Sequence, residues 1–384
     1  MTRRAILALL LSATLPCLAN KNRAVWFWAD AGSIYGSISI VGTPVRESQT
    51  LDFFNSRHIK KVYGSYGARP VDDAAAIATW NAKLDAEGIE SQFLMSENTW
   101  IFPANHPGFL TKISERVIDF NNAPGRLPAE KFDGLHLDIE PQALTGPDGW
   151  SAQSATGKRD YLFLLRDTYA AVRAHFTGAG LPDFPVYADL PVWFDNLPVD
   201  GGSVGWTDAA ERDAWFDDIA VSLTGVSLMP FERDTFSLID NGVAWERANI
   251  TGAGIRIGIE TDIGSAATWP LVPDFNAMLA TLESAYGIDE AVDIQSYSHW
   301  RQALIDQAFA SVSLAMLASP GSKQADLQFD GEAGRTYVIY HTLDFCAWQE
   351  LLRHRATGPG PVTVPVEMDQ GRGFWKAESV RTPE

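Results

Sequence analysis

Phe132-Asp133-Gly134-Leu135-His136-Leu137-Asp138-Ile139-Glu140-Pro141 is the stretch whose reading decides this chain. Leu135, Leu137 and Ile139 fall on one side and His136, Asp138 and Glu140 on the other, which is the period of a β-strand. One face carries two carboxylates and an imidazole and then meets Pro141, so the strand reads as one that ends in a pocket. The plainer alternative is an exposed edge strand with ordinary charges. Asp138 and Glu140 would stand about 6–7 Å apart along the strand, from the rise per residue. At that range Asp138 raises the pKa of Glu140 and the two can share a proton. Glu140 is therefore the candidate catalytic acid.

Seven more apolar β-type runs surround this one: 24–28, 59–63 and 91–95 before it, and 185–189, 226–229, 255–259 and 294–297 after it. Helical patterns fall between them at 73–84, 158–176, 208–221, 274–286 and 301–317. In 158–176, Tyr161, Leu164, Leu165, Thr168, Tyr169 and Val172 form one stripe. Alternating strands and helices predict right-handed βαβ units and a parallel sheet. Eight such units predict a closed (β/α)8 TIM barrel. An open nucleotide-binding sheet is disfavoured, because no G-x-G-x-x-G follows the first strand and no P-loop sequence occurs.

Beyond Ser319-Pro320-Gly321-Ser322 the pattern changes to short strands punctuated by Gly and Pro. The expected organisation is a signal peptide over 1–19, a barrel over 20–321 and a small all-β module over 322–384. The module's Gly334-Arg335-Thr336-Tyr337 and Trp348 resemble C-terminal β modules of exported bacterial proteins, which implies packing or attachment. The leader reading rests on Arg3 and Arg4, the apolar run from Ala5 to Leu11, and Cys17-Leu18-Ala19. It implies a secreted or periplasmic product. That run is too short for a permanent membrane span, and no later segment is apolar enough.

The formal charge is −18, and loss of Arg3 and Arg4 with the leader makes it −20. Such a surface repels phosphates, and no basic run reverses it, so nucleic acid is not an expected partner. After cleavage Cys346 is the sole cysteine, which excludes an internal disulfide and a cysteine-based zinc site. Its aromatic neighbours point to burial. No G-x-S-x-G appears for a nucleophilic serine.

Active-site groups of this barrel come from the C-terminal ends of its strands. There the sequence places Asp30, Ser96, Glu97, Asp138, Glu140, Asp189, Glu232, Glu260, Asp262, His299 and Trp300. His136 faces the interior if Asp138 does, placed to pair with it and hold it ionised. Of 13 Trp and 20 Phe, most are expected in the core. Trp28, Tyr66, Trp100, Trp193, Phe194, Trp206 and Trp300 are the candidates for the mouth, where ring faces stack on the C–H faces of sugars.

The run Asp133 to Glu140 resembles the D-G-x-D-x-D-x-E motif on the fourth barrel strand of family 18 glycoside hydrolases, the chitinase family. The resemblance implies that Glu140 is the acid and that Asp138 orients a substrate acetamido group, which attacks in place of an enzyme nucleophile. Val226 to Glu232 resembles that family's sixth-strand Met-x-Tyr-Asp pattern, and Trp300 matches its eighth-strand Trp floor. His136 stands where the family has an inner Asp, Ile139 where it has an aromatic, and Phe231 where it has Tyr. Phe cannot donate the hydrogen bond of that Tyr. Ile139-Glu140-Pro141 also resembles the Asn-Glu-Pro of retaining barrel glycosidases, which implies Glu260, ending the seventh strand, as nucleophile.

These readings give a glycoside hydrolase acting on a poly- or oligosaccharide, with Glu140, Asp138 and Glu260 as catalytic candidates. His136, Asp189, Phe231, Glu232, Trp28 and Trp300 are the substrate-binding candidates. No cofactor is required, and no compact metal-ligand motif appears. Two alternatives stay open. One is a sugar-binding barrel without turnover. The other is a phosphodiesterase whose carboxylate ring, with His136 and His299, holds Mg²⁺ or Ca²⁺.

Overall fold

A computed structural model describes residues 21–264, 266–287, 291–308, 311–312, 315–318, 324–331, 336–342, 349–358, 360–367 and 374–380. The proposed leader, Cys17, Cys346, Trp348 and the 319–322 boundary lie outside these residues.

Eight parallel strands close a barrel in sequence order. They are β1 (Arg23–Phe27), β2 (Ile59–Gly64), β3 (Glu90–Ser96), β4 (Gly134–Asp138), β5 (Val186–Pro191), β6 (Gly225–Met229), β7 (Gly254–Glu260) and β8 (Ala291–Gln295). Ala24 opposite Asp293 and Val25 opposite Ile294 join the last strand to the first. The (β/α)8 expectation holds, and seven of the eight strands fall where the pattern put them. The eighth lies a few residues earlier than expected, because Tyr297 opens helix Tyr297–Ala308 instead of ending a strand. That helix is also shorter than the 301–317 pattern, and Ala315–Ala318 is a strand.

The helices begin where side chains cap them. Ser154 accepts from Gly157 N at 3.1 Å to start helix Ala155–Gly178, which buries Leu162, Leu165, Tyr169, Val172 and Phe176 along one stripe. Asp208 accepts from Glu211 N at 2.9 Å, and Glu211 Oε2 returns to Thr207 N at 2.7 Å. Helices Pro44–Ser56 and Phe236–Asn249 were not anticipated. β4 is tied to β3 through Asp133, whose Oδ2 accepts from Ser91 N at 2.7 Å. At Gly134 a Cβ would lie 3.1 Å from Pro185 O, so the absence of a side chain lets β4 approach β5 closely.

The chain divides into two compact units. One is the barrel, up to Asp262 and again over Pro273–Ser298; the other comprises Ile263–Val272 and His299–Glu384. The second unit contains β9 (Ser311–Val312), β10 (Ala315–Ala318), β11 (Gln324–Gly331), β12 (Thr336–Thr342), β13 (Gln349–Arg355), β14 (Gly360–Glu367) and β15 (Phe374–Val380). They form antiparallel sheets ordered β10-β11-β14 and β13-β12-β15-β9. Leu327, Phe329, Tyr337, Ile339, Val364 and Val366 make its core. Among the described residues no helix is long and apolar enough to cross a membrane.

Candidate active site

Small barrels of this kind are ordinarily filled by branched apolar side chains. Here the inward positions of the strands carry a buried polar network. From β8, Asp293 is fully buried; its Oδ1 accepts from Arg256 Nε at 2.6 Å, and its Oδ2 from Tyr63 OH at 2.9 Å and from Ser227 Oγ. The Tyr63 ring stacks on His136 with centroids 3.8 Å apart. His136 Nε2 meets Asp189 Oδ1 at 2.7 Å, and Trp26 Nε1 donates to Asp189 Oδ2 at 3.1 Å.

This corrects the expected role of His136. It pairs with Asp189 on β5, one strand over, and both are buried, at 0% and 1% exposure. Neither can touch a substrate directly. Burial lowers the His136 pKa to about 3, and burial also pushes Asp189 well above the usual carboxylate range. The hydrogen bonds identify the tautomer. Gln92 Nε2 donates to Glu90 at 2.7 Å, leaving its Oε1 to face His136 Nδ1 at 3.3 Å. Nδ1 therefore carries the ring proton, Nε2 accepts, and the proton between Nε2 and Asp189 belongs to Asp189. The short contact is a neutral acid donating to a neutral imidazole. Asp189→Asn can reproduce it, with the amide N–H on Nε2 and the carbonyl on Trp26. Its unfolding free energy is expected within about 1 kcal/mol of wild type. Asp189→Ala strands Nε2 and Trp26 Nε1, at about 1–3 kcal/mol for each orphaned group. Denaturant titration of the two variants reads the difference; equal losses would restore an ion pair.

Above this layer stand Asp138 and Glu140. Asp138 is buried beside Ser96 and the Glu140 carboxyl, with Oδ1 unpartnered among the described residues. Burial first, then the charges of Asp189 and Glu140, push its pKa well above the usual range. These surroundings favour the protonated Asp138 carboxyl over the ionised one. Glu140 is half-buried and raised by the same desolvation. Its backbone N donates to Asn98 Oδ1 at 2.8 Å, and Gln142 Nε2 donates to Glu140 Oε2 at 2.5 Å. Both carboxyls are thereby biased toward their protonated forms, with Glu140 as the member that opens outward.

Glu140 and Gln142 line a cavity of about 460 Å³ together with Pro191, Val192, Trp193, Met229, Phe231, Glu232 and Arg233. Phe231 and Glu232 thus line the same cavity as Glu140. Trp28 is partly buried and packs on Ala24, Trp26, Tyr63 and Leu94. Glu260 has a different task in the geometry: its Oε1 accepts from Glu232 N at 2.5 Å. Glu232 has φ 62°, a left-handed conformation uncommon for a non-glycine residue, so Glu260 holds this turn of the β6 loop.

Several expected mouth aromatics are core residues instead. Tyr66, Phe194 and Trp300 are fully buried, Trp100 and Trp206 nearly so, and only Trp28 and Trp193 of that set are partly exposed. Tyr66 OH accepts from Trp80 Nε1 at 2.9 Å, and Trp206 Nε1 donates to Phe194 O at 2.8 Å. Their polar atoms are satisfied inside the protein. Trp300 lies in helix Tyr297–Ala308, after β8. Among the described residues no three of His, Cys, Asp and Glu converge on a common cation position.

Behind the cavity wall, Glu246 is buried on helix Phe236–Asn249. Burial first, then Asp195, push its pKa up to about 8. A folded-state value above the unfolded one stabilises below the unfolded pKa and is lost as pH rises through the folded value. Between pH ~4.5 and ~8 the native state holds this proton while the unfolded chain releases it, so stability falls across that window. Glu246→Gln removes this contribution. Its stability relative to wild type is expected to improve from pH ~5 to pH ~8 and to level off above that; parallel curves would contradict the buried acid.

No protein-family model matches the chain, and no curated protein matches its sequence. Solved structures do match in three dimensions. A family 18 chitinase from Chromobacterium violaceum is 11% identical, covering 74% of this chain and 80% of its own, with TM-score 0.43. The likeness is to family 18 chitinases and related glycosidases. A Cycas revoluta family 18 chitinase in complex with (GlcNAc)4 is 11% identical, covering 74% of this chain and 98% of its own, with TM-score 0.45. A glucosidase from Croceicoccus marinus is 11% identical and covers 87% of this chain and 92% of its own, with TM-score 0.40. At these identities the likeness is one of fold.

Proposed function

We propose that this chain is an exported glycoside hydrolase in which Glu140 protonates the glycosidic oxygen and Asp138 supplies and positions the proton. One observation carries the reading: two neighbouring carboxyls are both raised by burial, and the outer one, Glu140, lines a cavity at the C-terminal end of the barrel. A leaving alkoxide needs a proton as the bond to it breaks, and a carboxyl with a raised pKa still holds one near neutrality. Pro191, Val192, Trp193, Met229 and Phe231 give the cavity an apolar wall against which the C–H face of a sugar can pack.

One proton moves from Asp138 across to Glu140 and on to the leaving oxygen as its bond to the sugar breaks. The incoming water returns a proton to the pair, which resists carrying two charges in a buried site. Gln142 fixes the Glu140 carboxyl in rotation, and Asn98 fixes its backbone. Glu260 serves by holding the Glu232 turn against the cavity, and a group of the substrate or a water completes the displacement. Asp189 and His136 lie beneath as the floor of the pair, and Asp189 reinforces the preference of Asp138 for its protonated form.

Release of reducing ends from a panel of neutral and aminated oligosaccharides tests the proposal. Wild-type protein is expected to release product, and Glu140→Gln is not. Saturable binding with no release would make the chain a sugar-binding protein. Release abolished by a chelator would move the chemistry to a metal.

A further inference from the structure

The opposite, N-terminal end of the barrel holds a second cavity, of about 1100 Å³, whose wall gathers three cations. Lys61 comes from β2, Arg256 from β7 and Arg247 from helix Phe236–Asn249; Asp240 is the one carboxylate among the wall residues. In a chain of formal charge −18 this concentration is a local reversal.

Each cation already faces a carboxylate, and on Lys61 and Arg256 the pairing leaves donors for a further acceptor. Lys61 Nζ lies 3.1 Å from Glu90 and 4.4 Å from the Tyr187 ring centroid. An ammonium has three N–H donors. Arg256 spends Nε on Asp293 at 2.6 Å, while among the described residues its two Nη groups reach only Asn22, at 3.4 and 3.2 Å. Those are long contacts that a better acceptor would replace. Asp240 does not serve as that acceptor, because Tyr286 OH donates to it at 2.9 Å and Arg247 lies 4.0 Å away. Lys61 and Arg256 are 7% and 6% exposed, so they belong to the barrel's interior and are held in place. Gly254, Ala244 and Ala248 keep the wall open beside them.

We propose that this cavity binds a small molecule through a carboxylate or phosphate group, with Arg256 and Lys61 as the inner donors and Arg247 at the rim. The plain alternative is a set of ion pairs that only close the barrel's lower end. The site is separate from the Glu140 cavity and does not depend on the proposed hydrolase activity.

Thermal unfolding of the full-length mature protein, with added inorganic phosphate, citrate or sodium chloride at matched ionic strength, distinguishes the two. The expected result is a saturable rise in Tm with phosphate or with citrate beyond that with chloride. A response to one and not the other names the group. Arg247→Glu, at a side chain 30% exposed, and Lys61→Gln should each weaken the midpoint at least tenfold, whereas Glu140→Gln should leave it unchanged. If Lys61→Gln fails to fold, the rim variant alone decides. Equal responses to all three salts, or an unaltered midpoint in Arg247→Glu, would overturn the proposal.

Discussion

Asp293→Ala should lower the unfolding free energy by about 3–5 kcal/mol, the cost of stranding one member of a buried ion pair. Asp293 is fully buried between β1 and β7, and it is the acceptor on which Arg256, Tyr63 and Ser227 all converge. Removing it leaves a guanidinium that is 6% exposed without its carboxylate and two hydroxyls without their acceptor. Domains are stable by only about 5–15 kcal/mol, so the variant should melt much earlier while keeping a cooperative transition. Denaturant titration at constant m-value reads the loss. A change below about 1 kcal/mol would mean that Arg256 finds another partner, and the interior network would not be the structural centre it is taken for here.

Glu140→Gln should reduce turnover by about 10²–10⁴, the range a general acid contributes. The substitution keeps the shape of the side chain, and Glu140 is half-buried at a strand end, so the fold and thermal transition should be retained. Saturation by substrate should be retained as well, because the aromatic and apolar wall of the cavity is untouched. A loss confined to KM would make Glu140 a binding residue. Near-wild-type turnover would remove it from the chemistry.

Much of this was legible before any coordinates. Period-two alternation with helical runs between strands gave the barrel, since each strand of such a fold must present its apolar face to the helices. The same alternation in β4 turned Asp138 and Glu140 inward together. His136 was less legible. Its inward direction followed from the pattern, but its partner lies on β5, and strand-to-strand register is a property of the closed sheet. The polar interior was within reach of the same rule. Tyr63, Gln92, Ser227 and Arg256 sit at inward positions of the apolar runs, so reading each strand for such exceptions would have found most of the network; Asp293 lies just before the eighth run as the sequence pattern placed it.

The aromatics failed for a different reason. Tyr66, Trp100, Phe194 and Trp206 follow strand ends, so chain position suggested the mouth. Burial of a large ring releases more free energy than a place in solvent can, and all four of these rings are buried. Gln142 and Asn98, which fix Glu140, carry no sequence signal beyond proximity to the site. Glu260 was placed at the correct strand end, and only the structure shows the Glu232 turn it supports.

Protonation of a departing oxygen by Glu140 is the central claim, and the leaving group provides its most direct test. Once a cleaved sugar is known, turnover of that sugar as an unactivated glycoside should be compared with its 2,4-dinitrophenyl glycoside in wild type and Glu140→Gln. A dinitrophenolate leaves without a proton, so the variant should retain most of its activity on that substrate while losing about 10²–10⁴ on the unactivated one. Equal losses on both substrates would contradict Glu140 as the acid.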